Sequence, residues 1–197
     1  MPDRRSTIFG AVTGLQADVS GRTEGDLRGM LLAVGGPSSR TRSGINLTRA
    51  AAALAVSRRT VERWMQTAQT GTGQRPSVEN ATSLARQARQ AATTQAGRRA
   101  ALAGTSTRQA ITRGARLTIT ASQGPRASGQ SYLRFRTTQL ELDPASAEAM
   151  LDAWERGGDR GFMTWATGHW DQEYVPDWEF GSVSEVDLEH PSGGEWR

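Results

Sequence analysis

The sequence predicts an α+β protein: an N-terminal helical unit of helix-turn-helix type, a long arginine-rich helix, then a small α+β domain of order β-β-α-α-β. Three observations carry this. Leu47 to Met65, LTRAAAALAVSRRTVERWM, has the spacing of two short helices joined by a tight turn. From Ser77 to about Leu102 the chain is rich in Ala and Arg, as one long helix requires. After Gly104 the apolar period switches to two, in ARLTITAS and again in SYLRFRTTQLEL. The boundaries that follow are 1–23, an irregular start; 24–70, the helix-turn-helix unit; 71–104, the arginine-rich helix; 105–190, the α+β domain; and 191–197, a tail.

In chain order, DLRGMLLAV is apolar at helical intervals and GGP stops it, so a supporting helix is expected near Glu24–Val34. GGPSSRTRSG is a loop of turn formers and arginines, either solvated or lying along a polyanion. In the next segment Ala51 sits on the inner face of the first helix. Ala55 holds the turn position usually given to Gly, and Leu54, Val56, Val61 and Trp64 supply core contacts. Ser57 is the N-cap of the second helix, which leaves Arg58, Arg59, Glu62 and Arg63 on its outer face. A guanidinium grips guanine O6 and N7 bidentately or pairs with phosphate, so Arg58 and Arg59 are the expected base or phosphate contacts, with Arg49 beside them. The competing reading is an ordinary amphipathic hairpin with charged outer residues.

GTGQRP then breaks the chain, and Ser77 opens one helix running to about Leu102, with Arg86, Arg89, Arg98 and Arg99 along it. Its apolar stripe of Val78, Ala81, Leu84, Ala85 and Ala88 is thin, which suits close packing on a neighbour or an arm against DNA. Beyond the hairpin signal around GPRASG, Asp143 caps and Pro144 opens the helix ASAEAMLDAWERGG, ended by its glycines. A short helix follows near Arg160–His169, and WEFGSVSEVDLEH reads as the last strand. Trp154, Phe162, Trp165, Trp170, Trp178 and Phe180 are read as the core of this domain rather than as a ligand cage.

Charge is distributed unevenly. The net +4 comes from 24 arginines, no lysine, and 20 acids. Residues 1–140 hold 21 arginines against 6 acids, whereas 141–197 hold 3 against 14. Between 40 and 136 there are 17 arginines opposed only by Glu62 and Glu79, a stretch that attracts a polyanion and releases its counterions. The acidic end can bind a partner, shield the basic half, or keep the chain soluble. Absence of Cys excludes a disulfide framework, thiolate zinc and a cysteine nucleophile; absence of Lys excludes a Schiff base. His169 and His190 lack ligand spacing, so no metal site is expected. The cluster Asp171, Glu173, Asp177 and Glu179 is read as a solvated acidic face rather than a Mg²⁺ site. No membrane span or signal peptide is expected, and a cytoplasmic, nucleoid-associated location is.

Taken together, SRRTVERW, the arginine-rich helix, TRGARLTITASQG and SVSEVDLEH resemble the Tpg-type telomere terminal proteins of linear actinobacterial chromosomes and plasmids. The resemblance runs from about Asp26 to Asp187 and is that of a distant member; Gly161–Trp178 departs from the pattern. It implies a DNA-binding protein that caps replicon ends. A side-chain hydroxyl primes end-patching synthesis and becomes covalently linked to the 5′ nucleotide. It implies no enzymatic activity or cofactor of its own, since a partner DNA polymerase supplies Mg²⁺ and the nucleotidyl transfer, and it implies a companion telomere-binding protein. The motif puts the priming hydroxyl at Thr120, with Thr118, Thr112 and Ser122 as fallbacks, although threonine is also an ordinary strand residue. Arg113 and Arg116 would hold a phosphate beside it or be solvated strand charges. The alternative function is a transcriptional or plasmid-maintenance regulator that uses the same helix-turn-helix on an operator.

Overall fold

The computed structural model describes residues 4–190; the expected tail, 191–197, lies outside them. The elements are α1 (Arg4–Thr13), α2 (Leu27–Gly35), α3 (Leu47–Ala53), α4 (Arg58–Thr70), α5 (Val78–Thr93), α6 (Gln95–Ala103), α7 (Thr107–Ala110), β1 (Ala115–Ala127), β2 (Gln130–Ser131), β3 (Arg134–Leu142), α8 (Pro144–Glu173) and β4 (Trp178–Glu189). The fold is α+β, with helices first and a small antiparallel sheet after them. Thr13–Thr105 forms one compact unit. The described residues up to Val12, together with those from Ser106, form the other.

In the helical unit α2, α3 and α4 pack on one another, and α5 packs on α2 and α6. Each helix starts where a short polar side chain can accept an orphan N–H. Asp26 accepts from Arg28 N and Gly29 N, Asn46 from Arg49 N, Ser57 from Thr60 N, and Ser77 from Asn80 N. Met30, Leu31, Ala50, Ala51, Val61, Trp64, Leu84 and Ala88 form the core. The basic loop after α2 is tied down: Pro37 bridges Ile45, Ser38 N donates to Gly44 O, and Thr41 Oγ1 donates to Ile45 O.

The helix expected to run unbroken from Ser77 to Leu102 is two. It stops at Thr94, whose extended backbone ends α5 and whose hydroxyl caps α6 by accepting from Gly97 N. The carbonyls freed at the end of α5 are taken up locally. Thr94 Oγ1 donates to Gln90 O, and Arg98 Nη1 donates to Ala92 O at 2.9 Å. Arg98 is therefore a 5 % exposed internal cap and not an outer-face cation.

In the second unit β1 is the central strand, paired antiparallel with β3 on one side and β4 on the other. Ala115, Leu117, Ile119, Ala121 and Gln123 alternate onto the buried face. That face is covered by α8 through Met150, Leu151, Trp154, Phe162 and Trp170. The two helices expected between the strands are both present within α8 and meet at a kink, where Gly158 leaves helical geometry (φ 60°, ψ −145°), so the glycines end the first helix as expected and the second runs on to Glu173. Trp154, Phe162, Trp170 and Trp178 are core as expected; Trp165 is half-buried and stacks on His169 at 4.9 Å. Residues 4–13, within the irregular segment expected at 1–23, form a helix. Helix α1 buries Ile8, Phe9 and Val12, setting Phe9 edge-on to Trp154 at 5.9 Å.

Candidate nucleic-acid interface

The turn between α3 and α4 is built from two local features. Ala55 takes a left-handed conformation (φ 53°), the geometry that sequence spacing assigns to a glycine-like position, and Val56 N closes onto Ala51 O at 3.1 Å. Ser57 then caps α4, its Oγ accepting from Thr60 N at 3.1 Å. Val61, Trp64 and Met65 are buried beneath, which fixes the rotation of α4 about its axis. Arg58, Arg59, Glu62 and Arg63 are consequently all exposed, three cations and one anion on the first two turns.

Their partners differ. Arg58 Nε bonds Glu62 Oε1 at 2.9 Å, and Arg63 Nη1 reaches Gln74 Oε1 at 3.3 Å. Among the described residues Arg59 has no ion-pair partner. Arg49 is exposed on α3, and Arg86 and Arg89 are exposed on α5. The stem of Arg89 lies over Gly21, where an added Cβ would stand 2.9 Å from Arg89 Cδ. The helical unit holds 13 arginines against 5 acids, and the remainder of the chain 11 against 15, so the cationic excess belongs to the unit that carries α4.

Thr120 lies in the other unit, in mid-strand on β1. Its side chain is on the face of the sheet opposite α8, and its hydroxyl meets that of Thr137 at 2.9 Å. Glu185 is its partner on β4. The ladder is irregular there: Ser184 is an extra residue whose Oγ donates to Thr120 O at 2.9 Å. Thr118 and Ser122 share this face, whereas Thr112 is exposed before the strand begins. Arg113 is exposed beside Thr112. Arg116 is held across the strands by Glu141 Oε1 at 2.6 Å and Glu189 Oε2 at 3.7 Å. Thr137 and Glu185, the polar neighbours of Thr120, are absent from the set expected on sequence alone. The adjacent threonines 137 and 138 were the available signal, since alternation must put one of them on each face.

No family model, curated protein or solved structure matches this chain.

The four acids of the C-terminal cluster have separate structural duties. Asp171 accepts from Trp178 N at 2.5 Å, Glu179 faces Arg126 at 3.5 Å and accepts from Ser131 Oγ, Asp177 sits in a left-handed turn, and Glu173 ends α8. Among the described residues no group of three or more acidic or histidine side chains is arranged to hold a metal ion. Among the same residues no helix is long and apolar enough to cross a membrane.

Proposed function

We propose that this protein binds double-stranded DNA by seating the first turns of α4 in the major groove, with Arg58, Arg59 and Arg63 contacting base edges and phosphates. The carrying observation is the combination of a left-handed Ala55, the capping Ser57 and a buried Val61–Trp64–Met65 seam, which presents these arginines outward. Arg49, Arg86 and Arg89 add phosphate contacts.

The finer reading is a terminal protein at the ends of a linear replicon in the cytoplasm. In that role the Thr120 oxygen attacks the α-phosphorus of an incoming deoxynucleoside triphosphate. A phosphoester forms, the bond to pyrophosphate breaks, and the hydroxyl proton leaves to a base of the partner polymerase or to solvent. Exposure of the Thr120 face and the hydrogen bond between the Thr120 and Thr137 hydroxyls, which orients the former, support it. The acidic row Glu185, Asp187 and Glu189 on β4 offers a docking face for the polymerase or a companion telomere-binding protein.

Two measurements test the reading. Duplex binding by the full chain should fall at least tenfold in an Arg58→Ala/Arg59→Ala variant; unchanged affinity would remove α4 from the interface. Protein recovered from cells by denaturing extraction and nuclease treatment should carry a nucleotide on the peptide containing Thr120. Unmodified peptides from Thr112 through Ser122, together with two-fold symmetric operator binding, would leave the regulator as the function.

A further inference from the structure

The sheet packs α8 on one face and leaves the other open. On the open face register puts Thr118, Thr120 and Ser122 in a low central lane on β1, with Phe135 on β3 to one side and Glu185 and Asp187 on β4 to the other. An antiparallel sheet can turn its second face to water, but water does not account for a phenylalanine that is 69 % exposed. Leu133 stands beside it at 39 %, its Cδ1 within 3.5 Å of where a side chain on Gly181 would begin. Glu185 and Asp187 have no ion-pair partner among the described residues, while Glu141 and Glu189 share the single guanidinium of Arg116. The face is therefore apolar at one end and anionic at the other. Helix α5 carries the converse pattern. Val78 in its first turn is 86 % exposed, more than any other large apolar side chain among the described residues. At about 100° per residue Thr82, Arg86 and Arg89 fall within a quarter turn of it, all exposed. Neither arginine has an ion-pair partner among the described residues.

We infer that the open sheet face is the docking site for α5 of a second copy of this chain, with Val78 seated against Phe135 and Leu133 while Arg86 and Arg89 meet Glu185 and Asp187. The spacings agree. Along the helix Val78 stands about 12 Å from Arg86 and about 16 Å from Arg89, and strand geometry sets Phe135 about 12 Å from Glu185 and about 17 Å from Asp187. Glu79, the acid in the first turn of α5, falls at the Phe135 end, clear of the acidic row. Charge selects the occupant. Two copies of the sheet face repel each other, and the same carboxylates repel nucleic acid and anionic lipid. The helical unit, with 13 arginines against 5 acids, is the cationic surface that the chain itself supplies. Because two different surfaces meet, the contact is head-to-tail and copies add in series. Arg86 and Arg89 are also phosphate contacts in the reading above, so duplex and a second copy compete for α5, but the contact does not rest on that reading.

Sedimentation velocity of the full chain, free of nucleic acid and at low salt, tests it over roughly a hundredfold range of concentration. Mass should rise with concentration and return to that of the monomer as salt is added. Glu185→Arg/Asp187→Arg on the sheet and Val78→Ser/Arg86→Ser on α5, all at exposed positions, should keep the wild-type Tm and each weaken self-association about tenfold. Mixed together, the two variants should form a one-to-one dimer and nothing larger, since one intact sheet face and one intact α5 remain to meet. A wild type that stays monomeric throughout, self-association that survives either variant, or a mixture that stays monomeric overturns the contact. None of these measurements reads duplex binding, so a failure of the α4 arginines to bind DNA would leave this result untouched.

Discussion

Trp170 donates its indole N–H to Thr138 Oγ1 at 3.0 Å in the core between α8 and the sheet. Thr138 donates onward to Gln123 Oε1 at 2.9 Å, and Gln123 Nε2 donates to Ile119 O and Arg136 O. This buried chain pins α8, β3 and β1 in one register, because any slip would strand polar groups away from water. Thr138→Val should therefore destabilise the protein by about 1–3 kcal/mol for each group it abandons, Trp170 Nε1 and Gln123 Oε1. Thr138→Ser should stay near wild type. Urea unfolding of the full chain measures both, and equal midpoints for Val and Ser would show that the network holds nothing.

Ala55 adopts φ 53°, a conformation that costs an L-residue roughly 1–2 kcal/mol. Ala55→Gly should remove that strain at the expense of greater freedom in the unfolded chain, for a net gain of about 0.5–1 kcal/mol and a raised Tm. The side chain is exposed, so no packing is lost. A lowered Tm would mean that the turn is not strained.

How far the sequence could be read follows from which signals are local. The α3–α4 turn, the Ser57 and Asp143 caps and the hairpin were legible, since each is set by side chains within a few residues of the backbone they satisfy. The break at Thr94 was hidden among good helix formers. Its one trace is Gly97, where a Cβ would stand 2.3 Å from Gln90 O, so the bend needs the missing side chain. RRSTIFGAVT has little intrinsic helicity, and α1 exists because Ile8, Phe9 and Val12 are buried in the sheet unit, a contact made across nearly the whole chain. Pairing of β4 with β1 is equally non-local. At the candidate interface the outer arginines of α4 followed from periodicity. The neighbours of Thr120 could not, because Glu185 reaches it only through that long-range pairing and a bulge at Ser184.

Arg58 is partly spent on Glu62, to which its Nε is bonded at 2.9 Å. Both are exposed, so the pair contributes no more than about 0.5 kcal/mol, and removing the carboxylate should release Arg58 toward phosphate. Glu62→Gln is expected to tighten non-specific duplex binding about twofold. Arg59→Ala should weaken it and reduce the slope of log affinity against log salt by about 0.9. Salt titrations of both variants check this, and an unchanged slope for Arg59→Ala would take that side chain off the phosphates.

Burial pushes the His190 imidazole below its ordinary value of 6.5 and outweighs the opposite pull of Asp187. The sign of the consequence is fixed. Above about pH 6.5 folded and unfolded chains both hold the ring neutral, and its contribution to stability is complete. As pH falls through that value the unfolded chain takes up a proton that the folded chain refuses, so stability drops until the folded ring titrates as well. Unfolding free energy measured by urea at steps between roughly pH 7.5 and 5.5 should decline for wild type. His190→Gln has no proton to gain and should flatten that part of the decline, and comparison of the two chains separates this ring from His169. A decline of the same slope in both would show that His190 protonates as readily folded as unfolded and that the end of β4 is open to water.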